Sequence, residues 1–102
     1  MVISAGGMLF YVQFLCETEA SENELKNFAK THRIELEESD LIGQGFTIVD
    51  DPLPEKKDIE RFLKVLKESG NWLTEIFDDP ESVDSRILCI YHKEIRNNAF
   101  FS

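Results

Sequence analysis

Residues 8–16, MLFYVQFLC, form an apolar run of strand length broken only by Gln13. A strand that is polar on neither face has to be covered on both, so this run reads as a central strand and not as an edge. Residues 86–95, RILCIYHKEI, are apolar on both faces through Tyr91 and read as the final strand of the same kind. The elements between the two must supply the layers that cover them.

Ser21-Glu22-Asn23-Glu24 has the form of a capping box, in which the Ser21 hydroxyl accepts from the Glu24 amide and the Glu24 carboxylate accepts from the Ser21 amide. A helix is expected to start there, with Leu25, Phe28 and Ala29 on one face, and to end near Thr31 or His32. In residues 33–42, Ile34 and Leu36 lie opposite Glu35 and Glu37, which predicts a strand with one wet face. Gly43-Gln44-Gly45 supplies turn residues and 46–49 returns as a strand, so the pair reads as a hairpin. Pro54 opens a longer helix whose buried stripe is Ile59, Phe62, Leu63 and Leu66, and Ser69-Gly70 stops it. Residues 71–77, NWLTEIF, fit both a helical face and strand alternation, and are read as an extension or short strand packed on the core. Trp72, Ile76 and Phe77 are assigned to that core, with an exposed partner-binding patch as the alternative.

Strand, helix, strand, strand, helix, strand is the order of the ferredoxin-like plait, an α+β fold (βαββαβ) with two helices on one face of an antiparallel sheet. The first and last strands are then adjacent and central, with an extra short element at 71–77. One domain is expected over 8–96, preceded by a flexible N-terminal segment at 1–7. A C-terminal tail at 97–102 follows, in which Phe100 and Phe101 could dock on the body.

Charge narrows the function classes. Twenty Asp and Glu against eleven Lys and Arg give a formal charge of −9. Such a charge opposes direct nucleic-acid binding, where affinity comes from cations displacing counterions, and opposes anionic membranes for the same reason. It favours a basic protein partner. The excess is uneven: it lies in Glu17 and Glu19, in Glu35, Glu37, Glu38 and Asp40, in Asp50 and Asp51, and in Asp78, Asp79, Glu81 and Asp84, while residues 55–68 are nearly balanced and read as a solvated helix face. No apolar run reaches the ~20 residues of a membrane span. Residues 1–7 lack the basic and apolar regions of a signal peptide, so a cytoplasmic location is expected.

Catalytic and cofactor chemistry finds little footing. Cys16 and Cys89 sit in apolar runs, as buried free thiols do. Cys89 and His92 are three apart on a strand and so project to opposite faces, which removes them as a nucleophile and base. His32 and His92 are isolated from each other and from both cysteines, and the acidic stretch at 78–84 lacks the spacing of a calcium loop, so no metal or cofactor is assigned. Gly43-Gln44-Gly45 lacks the spacing of a phosphate-binding loop.

In the plait, the loops after the first strand and before the last share one end of the sheet, collecting Glu17, Glu19, Asp78, Asp79, Glu81 and Asp84 as a candidate partner-binding surface. The leading expectation is a non-enzymatic, acidic protein-interaction module that inhibits or regulates a basic partner, of immunity, antitoxin or phage-inhibitor type, including mimicry of nucleic-acid charge. The alternative is a small-ligand-binding regulatory or enzymatic ferredoxin-like domain acting as a homodimer.

Overall fold

The computed structural model describes residues 1–41 and 43–97; the expected docking of Phe100 and Phe101 lies outside the described residues. Along the chain come β1 (Val2–Ala5), β2 (Met8–Leu15), α1 (Glu19–Thr31), β3 (Leu36–Ser39), β4 (Gly45–Ile48), α2 (Lys56–Glu68), β5 (Trp72–Asp78) and β6 (Ser85–His92), then a 3-10 turn over Lys93–Asn97. The fold is α+β. Among the described residues one mixed sheet of six strands runs β3-β4-β2-β6-β5, with β1 also paired to β2.

Alternation along β2 divides the interior in two. Val12 and Phe14 pack with Leu25 and Ala29 of α1, Phe62 and Leu66 of α2, and Ile48, Trp72 and Ile90 of the sheet. Leu15 points the other way, joining Cys89, Tyr91 and Ile95. Both helices therefore cover one face, as expected, and among the described residues the opposite face is free of long helices. The helix-side core centres on Phe14 and Phe62, whose rings lie 5.5 Å apart. Burying Phe62 and Leu66 completely contributes about 1.5–3 kcal/mol each.

The all-antiparallel plait order is not the order found. β6 is the neighbour of β2, as expected, but runs parallel to it, from Leu9 opposite Ser85 to Leu15 opposite Tyr91. The cause is residues 71–77, which are a full strand and not an appendage. β5 leaves α2 antiparallel to the direction of β2, and its hairpin partner β6 must return parallel. The more apolar β6 takes the inner place, covered on both faces, and β5, with exposed Thr74 and Glu75, takes the edge.

Three further expectations change. Residues 1–7 are not loose: β1 pairs with the first half of β2 through a turn at Gly6 and Gly7, both at positive φ. The Met1 carbonyl accepts from the Val12 amide at 3.0 Å and the Met1 amine donates to Thr47 Oγ1 at 2.8 Å, so this segment fills the part of the β2 edge that β4 does not reach. Helix α1 begins earlier than the Ser21 box implied, because Thr18 is the N-cap: the Ser21 amide donates to Thr18 Oγ1 and the Thr18 amide donates to Ser21 Oγ, both at 3.1 Å. Ser21 is thus the third helical residue of the box and Glu24 is released from capping. The last strand ends at His92, and Ile95 belongs to the 3-10 turn.

Gln13, the polar exception in β2, is completely buried and fully used. Its amide nitrogen donates to the Ser39 carbonyl at 2.8 Å and the Gly43 carbonyl at 3.4 Å, while Ser39 Oγ donates to its amide oxygen at 2.7 Å. These bonds tie the β3–β4 loop down onto the helix-free face. Gly45 makes the approach possible, since a Cβ there would overlap the Phe14 carbonyl oxygen and press on the Gln13 amide at 3.0 Å. Gly45→Ala should lower stability by about 3 kcal/mol through overpacking against rigid backbone. A urea midpoint equal to that of the parent chain would show that β4 does not need the close approach.

Candidate functional site

The structure brings four of the six predicted acidic residues together. Asp78 ends β5, and Asp79, Glu81 and Asp84 lie in the turn that leads into β6. Glu17 and Glu19 do not join them. They follow the end of β2, whereas the Asp84 carbonyl accepts from the Leu9 amide at the beginning of β2. The two groups are about 20 Å apart along the strand. Parallel pairing of β2 with β6 separates them, because it turns the loop before the last strand to the opposite end of the sheet.

The 79–84 turn is built by its own polar groups. Asp79 accepts from the Glu81 amide at 2.9 Å and from Ser85 Oγ at 2.8 Å. These bonds, the Glu81 amide foremost and then the Ser85 hydroxyl, hold the Asp79 carboxyl below the ordinary aspartate value of 3.8. The Asp84 amide donates to Ser82 Oγ at 3.3 Å. Arg86 Nε meets Asp78 Oδ1 at 3.0 Å while its Nη1 donates to the carbonyls of Val83 and Ser85. Glu81 and Asp84 remain exposed, and the Asp78 side chain is 90% exposed despite its ion pair. The turn thus presents negative charge to solvent.

Beside the turn, on the helix-free face, lies a groove of about 490 Å³ lined by Leu41, Phe77 and Ile87 and bordered by Asp78, Asp79 and Glu81. Leu41 is 49% exposed, held there by the loop that Gln13 anchors. Phe77 was expected as core and is only half-buried; Ile76 projects to solvent. Sequence reasoning assigned Leu41 to a strand and missed it as a surface residue. Its one signal was an apolar residue directly before the Gly43-Gln44-Gly45 turn.

At the other end of the sheet, Glu22, Glu38 and Asp40 line an open cleft of about 520 Å³ beside Cys16. Lys26 reaches toward Glu22 at 3.8 Å and over the Phe46 ring at 5.2 Å, so part of that charge is already answered within the chain. Burial, and then Glu22, push the Cys16 thiol up to about 11, and burial, then Glu75, push Cys89 up to about 12. Both cysteines are free, and they pack on opposite faces of the sheet. Neither is an activated nucleophile. Among the described residues no group of three or more His, Cys, Asp or Glu is placed to hold a metal ion.

A partly buried polar cluster joins α1, β5 and β6. Glu24 accepts from the Trp72 indole at 3.2 Å and the Asn71 amide at 3.0 Å, and lies 3.5 Å from His92 Nε2. The Glu94 amide donates to His92 Nδ1 at 3.3 Å, and the Trp72 and His92 rings meet edge to face at 5.2 Å. His92 is only 7% exposed, and the cluster ties α1 to the start of β5. No family model, curated protein or solved structure matches the chain. Among the described residues no helix is long and apolar enough to cross a membrane.

Two expectations follow for these groups. Glu24→Ala leaves the Asn71 donor and the indole of buried Trp72 without an acceptor and should cost about 1–3 kcal/mol. Glu24→Gln keeps a carbonyl acceptor and should lose less, with the emission of the single tryptophan reporting both in urea. The depressed Asp79 carboxyl contributes stability that is complete above its ordinary value of 3.8 and lost as pH falls through its lower folded value. Asp79→Asn should therefore unfold at lower urea than the parent chain at neutral pH and converge with it in strong acid; a constant difference across that range would contradict this.

Proposed function

We propose that the protein is an acidic protein-interaction module that binds and regulates a basic partner, in the manner of an immunity protein, an antitoxin or a phage-encoded inhibitor. The β2–α1–β3–β4–α2 segment acts as a plait-like frame. The β5–β6 turn is its contact surface, and the observation that carries the reading is the placement of Asp78, Asp79, Glu81 and Asp84 on a hydrogen-bonded turn beside a groove lined by exposed Leu41 and half-buried Phe77. Interfaces that hold their partners combine an apolar centre with a charged rim that steers and orients. Glu17 and Glu19, at the far end of the sheet, form a second and separate negative site in this reading.

Glu81 and Asp84 test it best, since their side chains are exposed while Asp79 is committed to the turn. A basic partner is first captured from the native host at low salt, identified and purified. The double reversal Glu81→Lys, Asp84→Lys should then weaken its binding by roughly tenfold or more and flatten the dependence on salt, as removal of steering and rim charge does. Glu17→Lys, Glu19→Lys should have the smaller effect. Equal affinity and equal salt dependence for the turn reversal and the parent chain would end the proposal.

A further inference from the structure

The helix-free face carries an apolar row that runs across the strands. Val2 is opposite Tyr11 in the β1–β2 pairing, Tyr11 is opposite Ile87 in β2–β6, and Ile87 is opposite Phe77 in β5–β6. Four neighbouring strands thus contribute one apolar residue each at the same level, and adjacent strands are spaced ~4.8 Å apart. The row is about 15 Å long on that spacing. Val2 is 40% exposed and Tyr11 37% exposed, Phe77 is half-buried, and Ile87, only 3% exposed, is the floor of the groove that Leu41 and Phe77 also line. The rows on either side differ: one contains Ser4, Leu9 and Ser85, and the other contains Gln13 and Cys89 under the β3–β4 loop. The strip is therefore a track with a direction. It is bare and apolar at the β1 end and flanked by the carboxylates of Asp78 and Glu81 at the β5 end.

We infer that this track docks a segment of a partner protein that carries apolar side chains followed by Lys or Arg, lying across the strands with its basic end at the β5–β6 turn. The inference rests on the partner-binding reading above and adds where the partner lies and what it presents. Charge selects the occupant: carboxylates at the rim repel an anionic amphiphile, and a wholly apolar segment leaves the charged end of the groove unanswered. The groove lies on a sheet face, which suits a segment lying along a surface. Apolar contact supplies the holding energy and the carboxylates set the orientation.

The probe is a pair of short synthetic peptides, Ac-Leu-Leu-Phe-Lys-Arg-Lys-amide and its counterpart with serine in place of the three apolar residues, titrated into the isotopically labelled full chain and followed by amide chemical shifts. The first should move the amides of Tyr11, Leu41, Phe77 and Ile87 together with Glu81, and Leu41→Ser should weaken it roughly tenfold without altering the rest of the spectrum. The serine peptide should move only the turn, and weakly. Equal shifts from both peptides, confined to the 79–84 turn, would overturn the track while leaving the acidic-partner reading standing. Absence of shifts along the row would likewise overturn it, because the charge-reversal experiment tests that reading separately. Shifts of the row on dilution of the free protein would assign the face to a second copy, and shifts on removal of residues 98–102 would assign it to the chain's own end; either result overturns the proposal.

Discussion

Parallel pairing between β2 and β6 is the constraint on which the remaining architecture depends. These are the strands whose side chains are apolar in both directions, and neither is stable without cover on both faces. Placing them side by side concentrates that requirement in one location. Parallel neighbours cannot be joined by a tight turn, so the chain between them has to travel away and come back. It does so through α1, the β3–β4 hairpin, α2 and β5, and the excursion itself supplies the cover: Leu25, Ala29, Phe62 and Leu66 over one side. On the other side the cover is local, from Ile95 of the 3-10 turn and from the β3–β4 loop that Gln13 holds. Incomplete cover there is what leaves Val2, Tyr11 and Leu41 at the surface.

Polar groups inside this arrangement act as fasteners between elements that apolar packing alone would leave free to slide. Gln13 fixes the β3–β4 loop, Thr47 joins the Met1 amine to the Val12 carbonyl, and Glu24 binds α1 to the start of β5. Among the described residues no buried side-chain nitrogen or oxygen lacks a hydrogen-bond partner. Each fastener costs desolvation and returns geometry, since the donors and acceptors have one satisfied arrangement. The ion pairs along α2 differ in kind. Lys56 with Glu60 and Lys64 with Glu68, each at 3.9 Å, are exposed and contribute a few tenths of a kcal/mol at most.

Period and capping made much of the frame legible in the sequence, and direction did not. The apolar runs, the stripe of α2, the stop at Gly70 and the turn at Gly43 to Gly45 are local signals, and each element they predict is present. The parallel sense of β6 was illegible because residues 71–77 satisfy helical and strand periods alike, and one strand more or less reverses every later connection. β1 was missed because VISA is too short to carry alternation, and its place depends on an edge of β2 that only β4's shortness leaves open. At α1 the expected box at Ser21 gives way to one headed by Thr18, and Glu24 has partners on β5 and β6 that no local pattern reveals. The acidic turn at 79–84 was legible as a charged loop, but its distance from Glu17 and Glu19 followed from the sense of β6 and was lost with it.

Net charge alone therefore does not locate a site on this chain. Carboxylates are plentiful at both ends of the sheet and along the outer face of α2, where Lys residues answer them within one helical turn. The β5–β6 turn differs in the company its charges keep. Asp79 spends its charge holding the turn in shape and Asp78 pairs with Arg86, while Glu81 and Asp84 stay exposed. Beside the turn, exposed Leu41 and half-buried Phe77 offer apolar surface that water covers at a cost. A partner of the kind proposed gains from both terms only where they adjoin, and the sense of β6 makes them adjoin by setting the acidic turn against the Leu41 and Phe77 end of the apolar row.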